Sequence, residues 1–436
     1  MTEKPPVSPK EARRLERLRQ GSRATRDVHP RAASRPQHRP PPVLGSISSG
    51  SGTSDEPAVA LTRRAVERLN QGHVWVYRSD VSAPPALQGG EVVRLVDERG
   101  WFAGKAFYSK SSQIAVRLLS RQDEPIDEEF FKQRLAQAIA LREAARPDPE
   151  RQRATRLVHG ESDLLPGLIV DRYADYLSIQ TLTEATDARR ELFASLLETL
   201  LAPRAIVERN DVKVRAHESL PLRKGVLRGT LPGPIEFLEG EVRLVADLFE
   251  GQKTGAFLDQ SENRLEAGRY AHGRALDCFT YGGAFALQLA RQATTVTAID
   301  ISETAAAQGR EAAARNGAAN VTFKVGNAFD LLRDEADRGE RYDTIVLDPP
   351  AFTKARTSLD PALRGYKEIN LRAPSSCSHR AACWSPAAAR STSTTPPSSG
   401  WCSPPPPTRS ARCRSSSGAA PPGTTLPSWA CRRPVT

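Results

Sequence analysis

Apolar residues are concentrated between about Leu61 and Leu371, and their spacing changes along that stretch. The first part predicts a short helix followed by strands, because the β-rich runs EVVRLVDERG, WFAGKAFYS and SQIAVRLLS are separated by turn residues. From Glu128 to Arg146 the apolar spacing fits one face of a helix, which we expect to end before Pro147. The pattern therefore predicts a small β-barrel-like module followed by an amphipathic helix.

The runs that follow predict two further units. The first contains LIVDRY, LSIQTL, a helix over 188–201 and AIVERN, so it reads as a small α+β unit. From about Glu239 to Leu371, strands alternate with helices: RALDCF, GAFALQLARQA, TVTAID, a helix over 303–316, VTFKVG, a helical stretch and DTIVLD. This alternation predicts an α/β fold with a doubly wound parallel sheet, whose ligand binds beyond the carboxyl ends of the strands.

Both ends of the chain differ from its body. Residues 1–58 mix Arg, Pro, Ser and Gly, which favours a disordered basic extension. We leave open whether it is an arm that contacts RNA phosphates or a plain solvated segment. Residues 372–436 contain 14 Ser, 12 Pro, 10 Ala and 8 Arg and no acidic residue, so we predict a low-complexity, disordered tail there.

The net charge of the 436-residue chain is +11, but most of it lies at the ends. Residues 1–60 carry +5 and residues 372–436 carry +8, which leaves −2 for the body. Charge alone therefore does not indicate a folded nucleic-acid surface, and that case depends on motifs.

Cysteine spacing and hydropathy exclude other classes. Cys278 is the one cysteine before residue 372, and no C-x-x-C pair occurs, so we expect neither a zinc site nor a disulfide scaffold. No run of about 18 apolar residues and no secretory signal occurs. We therefore predict a cytoplasmic protein that binds no metal and no membrane.

Two motifs follow neighbouring predicted strands. LDCFTYGGAF places Gly282 and Gly283 at a strand-to-helix turn, where a backbone can approach a ligand closely; a plain tight turn is the alternative. Asp300 ends the next strand, so its two oxygens are placed to hold ribose hydroxyls, although a solvated or helix-capping acid is the alternative.

Two more motifs follow the later strands. In GNAFDLL, Asn327 is placed to bind an adenine edge, unless it is a simple loop residue. In DPPAF, from Asp348 to Phe352, two prolines fix the backbone and leave carbonyls free to accept hydrogen bonds from a base. The alternative is a structural turn.

These four motifs resemble the class I S-adenosylmethionine-dependent methyltransferases. Three upstream runs, QGHVWVYRSDV, GESDLLPGLIVDRY and KTGAFLDQSENR, sharpen the resemblance to the ribosomal RNA large-subunit methyltransferase I family over residues 58–371. That resemblance implies a Rossmann-like methyltransferase domain preceded by a PUA domain and a central α+β domain, and 5-methylcytosine as product. The expected divisions are 1–58 (extension), 59–122 (PUA-like, RNA-binding), 123–238 (central), 239–371 (methyltransferase) and 372–436 (tail).

The resemblance also implies roles for individual residues. The expected cofactor is S-adenosylmethionine, and the expected partner is large-subunit ribosomal RNA. The residues expected at the cofactor are Phe257, Asp259, Gln260, Asp277, Tyr281, Gly282, Asp300, Ile301, Asn327 and Ala328. The active-site wall would contain Asp348, Pro349, Pro350 and Phe352, and RNA would contact His73, Trp75 and Tyr77. For Trp75 a place in a buried core is the alternative.

The sequence departs from the family at the catalytic cysteine. Methylation at cytosine C5 needs a thiolate that adds to C6, and the family carries it in a Thr-Cys-Ser stretch after the DPP motif. That stretch is missing here; Cys377 has no apolar strand before it, and Cys278 is expected to pack in the core. Amine methylation, which needs no cysteine, and non-catalytic RNA binding are therefore the alternative functions.

The match to the family stops abruptly after RGYKEINLRA. We predict that residues from about Ala373 onward are an out-of-frame translation, and that the doubly wound sheet ends after four strands with an uncovered edge. The oligomeric state stays open, with a homodimer as one alternative.

Overall fold

The fold is given by a computed structural model that describes residues 56–145, 148, 153–251, 253–350, 363–369 and 383–384. Predictions for both termini, for Phe352 and for Cys377 lie outside the described residues. No helix in the described ranges is long and apolar enough to cross a membrane.

The first sheet has the helix and the strands that the sequence predicts. Helix α1 (Arg63–Asn70) begins after Thr62, whose hydroxyl accepts the Ala65 N–H. Six strands form the sheet in the order β2-β6-β5-β4-β1-β3. They are β1 (Ala58–Leu61), β2 (Trp75–Tyr77), β3 (Val81–Ser82), β4 (Val92–Val96), β5 (Phe102–Tyr108) and β6 (Ile114–Ser120). Strand β2 is therefore at an edge.

The second sheet is covered by the predicted amphipathic helix, α2 (Glu128–Ala144), which ends before Pro147 as expected. Its strands are ordered β11-β10-β9-β8-β7. Their bounds are β7 (Ala154–His159), β8 (Leu168–Tyr173), β9 (Tyr176–Thr181), β10 (Ala205–Asn210) and β11 (Arg223–Gly229). The helix predicted over 188–201 corresponds to α4 (Arg190–Leu201), and a separate short helix, α3 (Glu184–Ala188), precedes it with a bend at Arg189.

Aromatic side chains join the first two sheets. The Phe131 ring on α2 packs 6.0 Å from Phe107 of β5 and 5.4 Å from Phe193 of α4, measured between ring centroids. All three rings are buried in one apolar cluster. Burial of such large rings is a main source of stability, so the two sheets share a core here.

A hairpin precedes the last sheet: β12 (Ile235–Glu239) and β13 (Val242–Ala246). Its first strand, β12, crosses the boundary expected between the central domain and the methyltransferase domain, at residues 238 and 239. Strand and helix then alternate through α5 (Ser261–Tyr270), β14 (Arg274–Cys278), α6 (Ala284–Ala290), β15 (Thr295–Asp300), α7 (Glu303–Arg315), β16 (Val321–Val325), α8 (Ala328–Asp337), β17 (Thr344–Leu347), α9 (363–369) and β18 (Cys383–Trp384).

The last sheet is the predicted doubly wound sheet. Its strands are all parallel and ordered β16-β15-β14-β17-β18. The strand order reverses next to β14, so the carboxyl ends of β14, β15 and β17 form the crevice where such sheets bind ligands. The expectation of four strands is wrong by one, because the backbone of Cys383–Trp384 pairs with β17. A two-residue strand has no periodicity by which to predict it.

Candidate functional site

The turn between β14 and α6 has a strained backbone. Phe279 and Tyr281 have φ angles of 64° and 51°, in the left-handed region that residues other than glycine rarely adopt. Between them, the Thr280 N–H donates to the Ile299 carbonyl of β15 at 2.9 Å. Backbone strain of this kind concentrates at functional sites, and a plain tight turn would not require two non-glycine residues at positive φ.

The two glycines of this turn have different surroundings. Gly283 has a φ of 83°, and a Cβ there would lie 2.8 Å from Phe323 Cζ, so a glycine is required by both conformation and packing. A Cβ at Gly282 would meet no atom of the residues that the structure describes within 4 Å. The space beside Gly282 is therefore open to a ligand.

Asp277 lies at the base of the turn and is fully buried. Its Oδ2 accepts the Thr280 hydroxyl at 2.5 Å and the Ala286 N–H at 3.0 Å, whereas its Oδ1 has no hydrogen-bond partner among the described residues. Burial raises the pKa of Asp277 to about 7, and the charges of Asp348 and Asp300 raise it as well. A donor on a bound ligand would satisfy the buried oxygen.

Asp300 ends β15 and faces the same turn. Its Oδ2 accepts the Tyr281 N–H at 2.8 Å and its Oδ1 accepts the Ser302 N–H at 2.9 Å, so the carboxylate is fixed while each oxygen keeps a second lone pair. The N-cap residue of the following helix is Ser302 and not Asp300, because the Ser302 hydroxyl accepts the Ala305 N–H. Next to Asp300, Ile301 is 75% exposed, which offers an apolar surface to a ligand.

Asn327 and Ala328 begin helix α8 after β16. The Asn327 side-chain oxygen accepts the Phe329 N–H at 3.0 Å, so Asn327 is the N-cap residue of the helix. Its amide NH2 makes no hydrogen bond within the described residues. Ala328 is buried. The loop and adenine alternatives for Asn327 are thus both compatible with its position.

The Asp-Pro-Pro motif follows β17 directly. Leu347 pairs with Cys278 in the parallel sheet, so Asp348 lies at the same sheet edge as the turn after β14. Asp348 is half-buried, Pro349 is buried and Pro350 is exposed. Asp277 itself pairs with Val346, two residues before Asp348.

The segment before α5 contributes a further wall. The Phe257 ring packs edge-on against Tyr281, with ring centroids 5.7 Å apart. Lys253 Nζ lies 4.3 Å from the centroid of the Phe257 ring and donates to Asp259 Oδ1 at 3.0 Å. Gln260 is buried. Phe257 therefore joins the turn directly, whereas the Asp259 carboxylate is held by Lys253.

The residues expected to contact RNA lie together on the first sheet. Trp75 and Tyr77 alternate with buried Val76 on β2 and are 40% and 39% exposed, so Trp75 is not a residue of the buried core. The Trp75 indole N–H donates to Glu161 Oε1 at 3.0 Å. His73 precedes the strand and is exposed. An edge strand with two exposed rings can stack on unpaired bases.

Cys278 does not supply a reactive thiolate at the sheet edge. The Cys278 side chain is buried and inaccessible. The backbone of Cys383 pairs with Ile345, two residues before the carboxyl end of β17. The described ranges also contain no cluster of three or more His, Cys, Asp or Glu that could hold a metal ion.

Sequence reasoning missed the hydroxyl and backbone groups that shape this site. Thr280 donates to Asp277 only three residues away, which is a local pattern that the sequence could have indicated. By contrast, Thr254 donates to Asp171 across 83 residues at 2.5 Å, and no spacing rule predicts such a contact.

Comparisons with known proteins agree with this architecture. Family models match residues 59–121 as a PUA-like domain and residues 271–371 as a methyltransferase domain. Among solved structures, SMU.776 in complex with SAH has a TM-score of 0.63 at 21% identity, over 77% of this chain and 87% of that chain. This likeness concerns the fold alone.

Curated relatives extend the similarity to sequence. The ribosomal RNA large subunit methyltransferase I of Tolumonas auensis is 39% identical over 72% of this chain and 81% of its own length. The protein of the same name from Shewanella amazonensis is 40% identical over 70% of this chain and 78% of its own length. Because this identity extends over more than two thirds of the length of each relative, the chain belongs to the ribosomal RNA large subunit methyltransferase I family.

Proposed function

We propose that the chain transfers a methyl group from S-adenosylmethionine to C5 of a cytosine in large-subunit ribosomal RNA. The observation that carries the proposal is the open turn beside Gly282, which lies between the carboxylates of Asp277 and Asp300 at the switch point of the sheet. The names of the relatives support the RNA substrate. The match to a methyltransferase domain model supports the reaction class.

The residues of the turn fit this cofactor, which supplies an electrophilic methyl group on a sulfonium. Asp277 offers an unpaired buried oxygen to its methionine part. Asp300 is oriented by two backbone N–H groups and retains lone pairs for ribose hydroxyls. Exposed Ile301 provides an apolar surface for adenine, and the Asn327 amide NH2 provides a donor.

The other expected cofactor residues complete the pocket in this proposal. Phe257 and Tyr281 close one side with packed rings, and Asp259 and Gln260 follow on the same segment. Ala328 offers its backbone at the beginning of α8, where helical N–H groups lack partners.

The target base would be held at the Asp-Pro-Pro motif. Pro349 and Pro350 cannot donate from their backbone nitrogens, so this strand end presents carbonyls, which accept hydrogen bonds from an exocyclic amine. A base inside a duplex is out of reach, so we expect the cytosine to be unpaired or flipped out. His73, Trp75 and Tyr77 would bind the RNA away from the reacting base.

Methylation at C5 requires a thiolate, which the buried Cys278 side chain does not offer to a base. A thiolate adds to C6, the resulting carbon nucleophile at C5 takes the methyl group, a base removes the C5 proton, and the thiolate is then eliminated. The burial of Cys278 favours a second candidate, methylation of an exocyclic amine, which needs no thiolate. RNA binding without catalysis is the third.

The test is methyl transfer by the full chain. Purified protein is incubated with labelled S-adenosylmethionine and unmodified large-subunit ribosomal RNA, and the RNA is digested to nucleosides for mass spectrometry. We expect label in 5-methylcytidine. Label in an amine-methylated nucleoside would establish the second candidate, and RNA binding without transfer would establish the third.

The same RNA with 5-fluorocytosine tests the thiolate separately. A working thiolate forms a covalent adduct with this base that persists on a denaturing gel. Product at C5 without an adduct would contradict the proposed chemistry.

The remaining expectations belong to this proposal. A ribosomal RNA substrate puts the reaction in the cytoplasm. The expected domain divisions and the alternative of a homodimer stay predictions, and sedimentation of the full chain tests the latter.

A further inference from the structure

A buried network on the second sheet reaches the cofactor-side segment. Asp171 and Tyr173 lie on β8, are fully buried, and come from the run LIVDRY. Thr254 and Ala256 belong to the segment that leads to Phe257. Because the two groups are about 80 residues apart along the chain, their hydrogen bonds join separate parts of the fold.

Two acceptors lie within reach of the Tyr173 hydroxyl proton, the Thr254 hydroxyl oxygen and, at 3.4 Å, the Ala256 carbonyl oxygen. The Thr254 hydroxyl donates to Asp171 Oδ2 at 2.5 Å, so its oxygen is left to accept from the Tyr173 hydroxyl at 3.2 Å. The Tyr173 oxygen in turn accepts the Ala256 N–H at 3.0 Å. Arg156 donates to both oxygens of Asp171, at 2.8 and 2.9 Å, and thereby neutralises it.

Two features make this arrangement well defined. Burial raises the pKa of Tyr173, and the charge of Asp171 raises it further, so the hydroxyl stays a proton donor. Gly255 has a φ of 140°, and a Cβ there would lie 2.8 Å from Leu248 Cδ2 and 3.4 Å from Tyr173 Cζ. The positive φ and the close approach to Leu248 therefore favour glycine here, and they keep the chain in van der Waals contact with the tyrosine ring.

The network ends at the cofactor turn. The residue after Ala256 is Phe257, whose ring packs against Tyr281. The Tyr281 N–H donates to Asp300, the residue expected to bind ribose. A displacement of Ala256 would therefore move the Phe257 ring and the wall of the pocket that contains it.

We propose that Asp171, Tyr173 and Thr254 are positioning residues, which hold residues 253–260 against the cofactor turn and thereby set the affinity for the cofactor. The inference rests on the proposed function and deepens it, because it assigns a role in cofactor binding to the second sheet. These residues act through Ala256 and Phe257 and do not themselves contact the reacting atoms.

Tyr173→Phe tests the inference, because it removes one hydroxyl and keeps the ring. The matched control is Tyr176→Phe on the neighbouring strand, since Tyr176 pairs with Tyr173, is also buried, and has a hydroxyl without a hydrogen bond to the described residues. Loss of the hydrogen bonds of this hydroxyl, to Thr254 and from the Ala256 N–H, is expected to weaken binding of S-adenosylhomocysteine about five- to tenfold. The control is expected to bind as the wild type does.

Hydrogen exchange gives a readout that does not require the cofactor. In the full chain, Tyr173→Phe is expected to speed exchange of the Ala256 amide, and Tyr176→Phe is not. Thr254→Val should reproduce both effects of Tyr173→Phe. Thr254→Ser keeps the hydroxyl and should behave as the wild type does in both measurements. This pair carries the comparison if Tyr173→Phe does not fold.

The outcomes separate this inference from the proposed function. Wild-type binding of S-adenosylhomocysteine, together with unchanged affinity in Tyr173→Phe and Thr254→Val, would overturn the positioning role and leave the proposed function standing. A wild-type protein without affinity for S-adenosylhomocysteine would overturn both. Equally weakened binding of S-adenosylhomocysteine in Tyr176→Phe would also overturn the positioning role, because the effect would then come from general packing.

Discussion

Gly282 and Gly283 are adjacent, but they should respond differently to the same substitution. Gly283→Ala would place a Cβ at positive φ and 2.8 Å from Phe323 Cζ, so we expect it to lower the free energy of unfolding by about 1–3 kcal/mol. The Cβ of Gly282→Ala would meet no described atom within 4 Å, so the free energy of unfolding should change little, whereas binding of S-adenosylhomocysteine should weaken. Urea unfolding and calorimetric titration measure the two effects. Unimpaired binding by Gly282→Ala would show that the cofactor lies elsewhere.

Asp277 should make stability depend on pH. Its pKa is about 7 in the folded protein, against 3.8 for an ordinary Asp, so between these values the folded protein holds a proton that the unfolded chain releases. Its contribution is therefore most favourable at low pH and is lost as pH rises through about 7. The free energy of unfolding of Asp277→Asn, measured relative to the wild type, should therefore rise by up to about 2–3 kcal/mol when the pH is raised from 5 to 8.

Urea unfolding of both proteins at the two pH values measures this gain. Asp330→Asn, which changes an exposed carboxyl on α8, serves as the control. The same stability difference at both pH values would contradict the raised pKa.

At the scale of elements, strands β14 to β17 of the parallel sheet were predictable because each is a short apolar run with a motif at its end. Asp300, for example, ends TVTAID, and the structure places it beside the turn after β14. The backbone of the turn was not predictable, since Phe279 and Tyr281 adopt positive φ without being glycine. The bonds between β8 and Thr254 were hidden by sequence separation. Strand β18 lies in a stretch whose composition indicates no strand at all.

Strand β2 carries the prediction for RNA binding. Trp75→Ala should weaken the affinity for large-subunit ribosomal RNA about 5- to 100-fold, because stacking contributes about 1–3 kcal/mol per base. Trp75→Phe keeps a ring and should lose less. Fluorescence anisotropy with a labelled RNA fragment measures the affinity.

Trp101 is the matched control, because it is 63% exposed on the turn between β4 and β5. We expect Trp101→Ala to bind RNA as the wild type does. If the two alanine variants behave alike, the RNA surface is not on β2.

At the scale of the whole molecule, the composition change at residue 372 remains the main departure from the family. We expect the 3′ end of the native gene to read in another frame after about Ala373 and to encode a strand with a Thr-Cys-Ser stretch. Resequencing that end and measuring the intact mass of the native protein tests this. A mass of 47.6 kDa with an unchanged 3′ sequence would contradict it.

The claim on which all else depends is that the turn between Asp277 and Asp300 binds S-adenosylmethionine. Calorimetric titration with S-adenosylhomocysteine tests it most directly, in the wild type, in Asp300→Ala, and in Glu303→Ala as an exposed acidic control on the adjoining helix. We predict one site per chain, at least about tenfold weaker binding in Asp300→Ala, and no change in Glu303→Ala. No binding by the wild type, or equal binding by Asp300→Ala, would contradict the account.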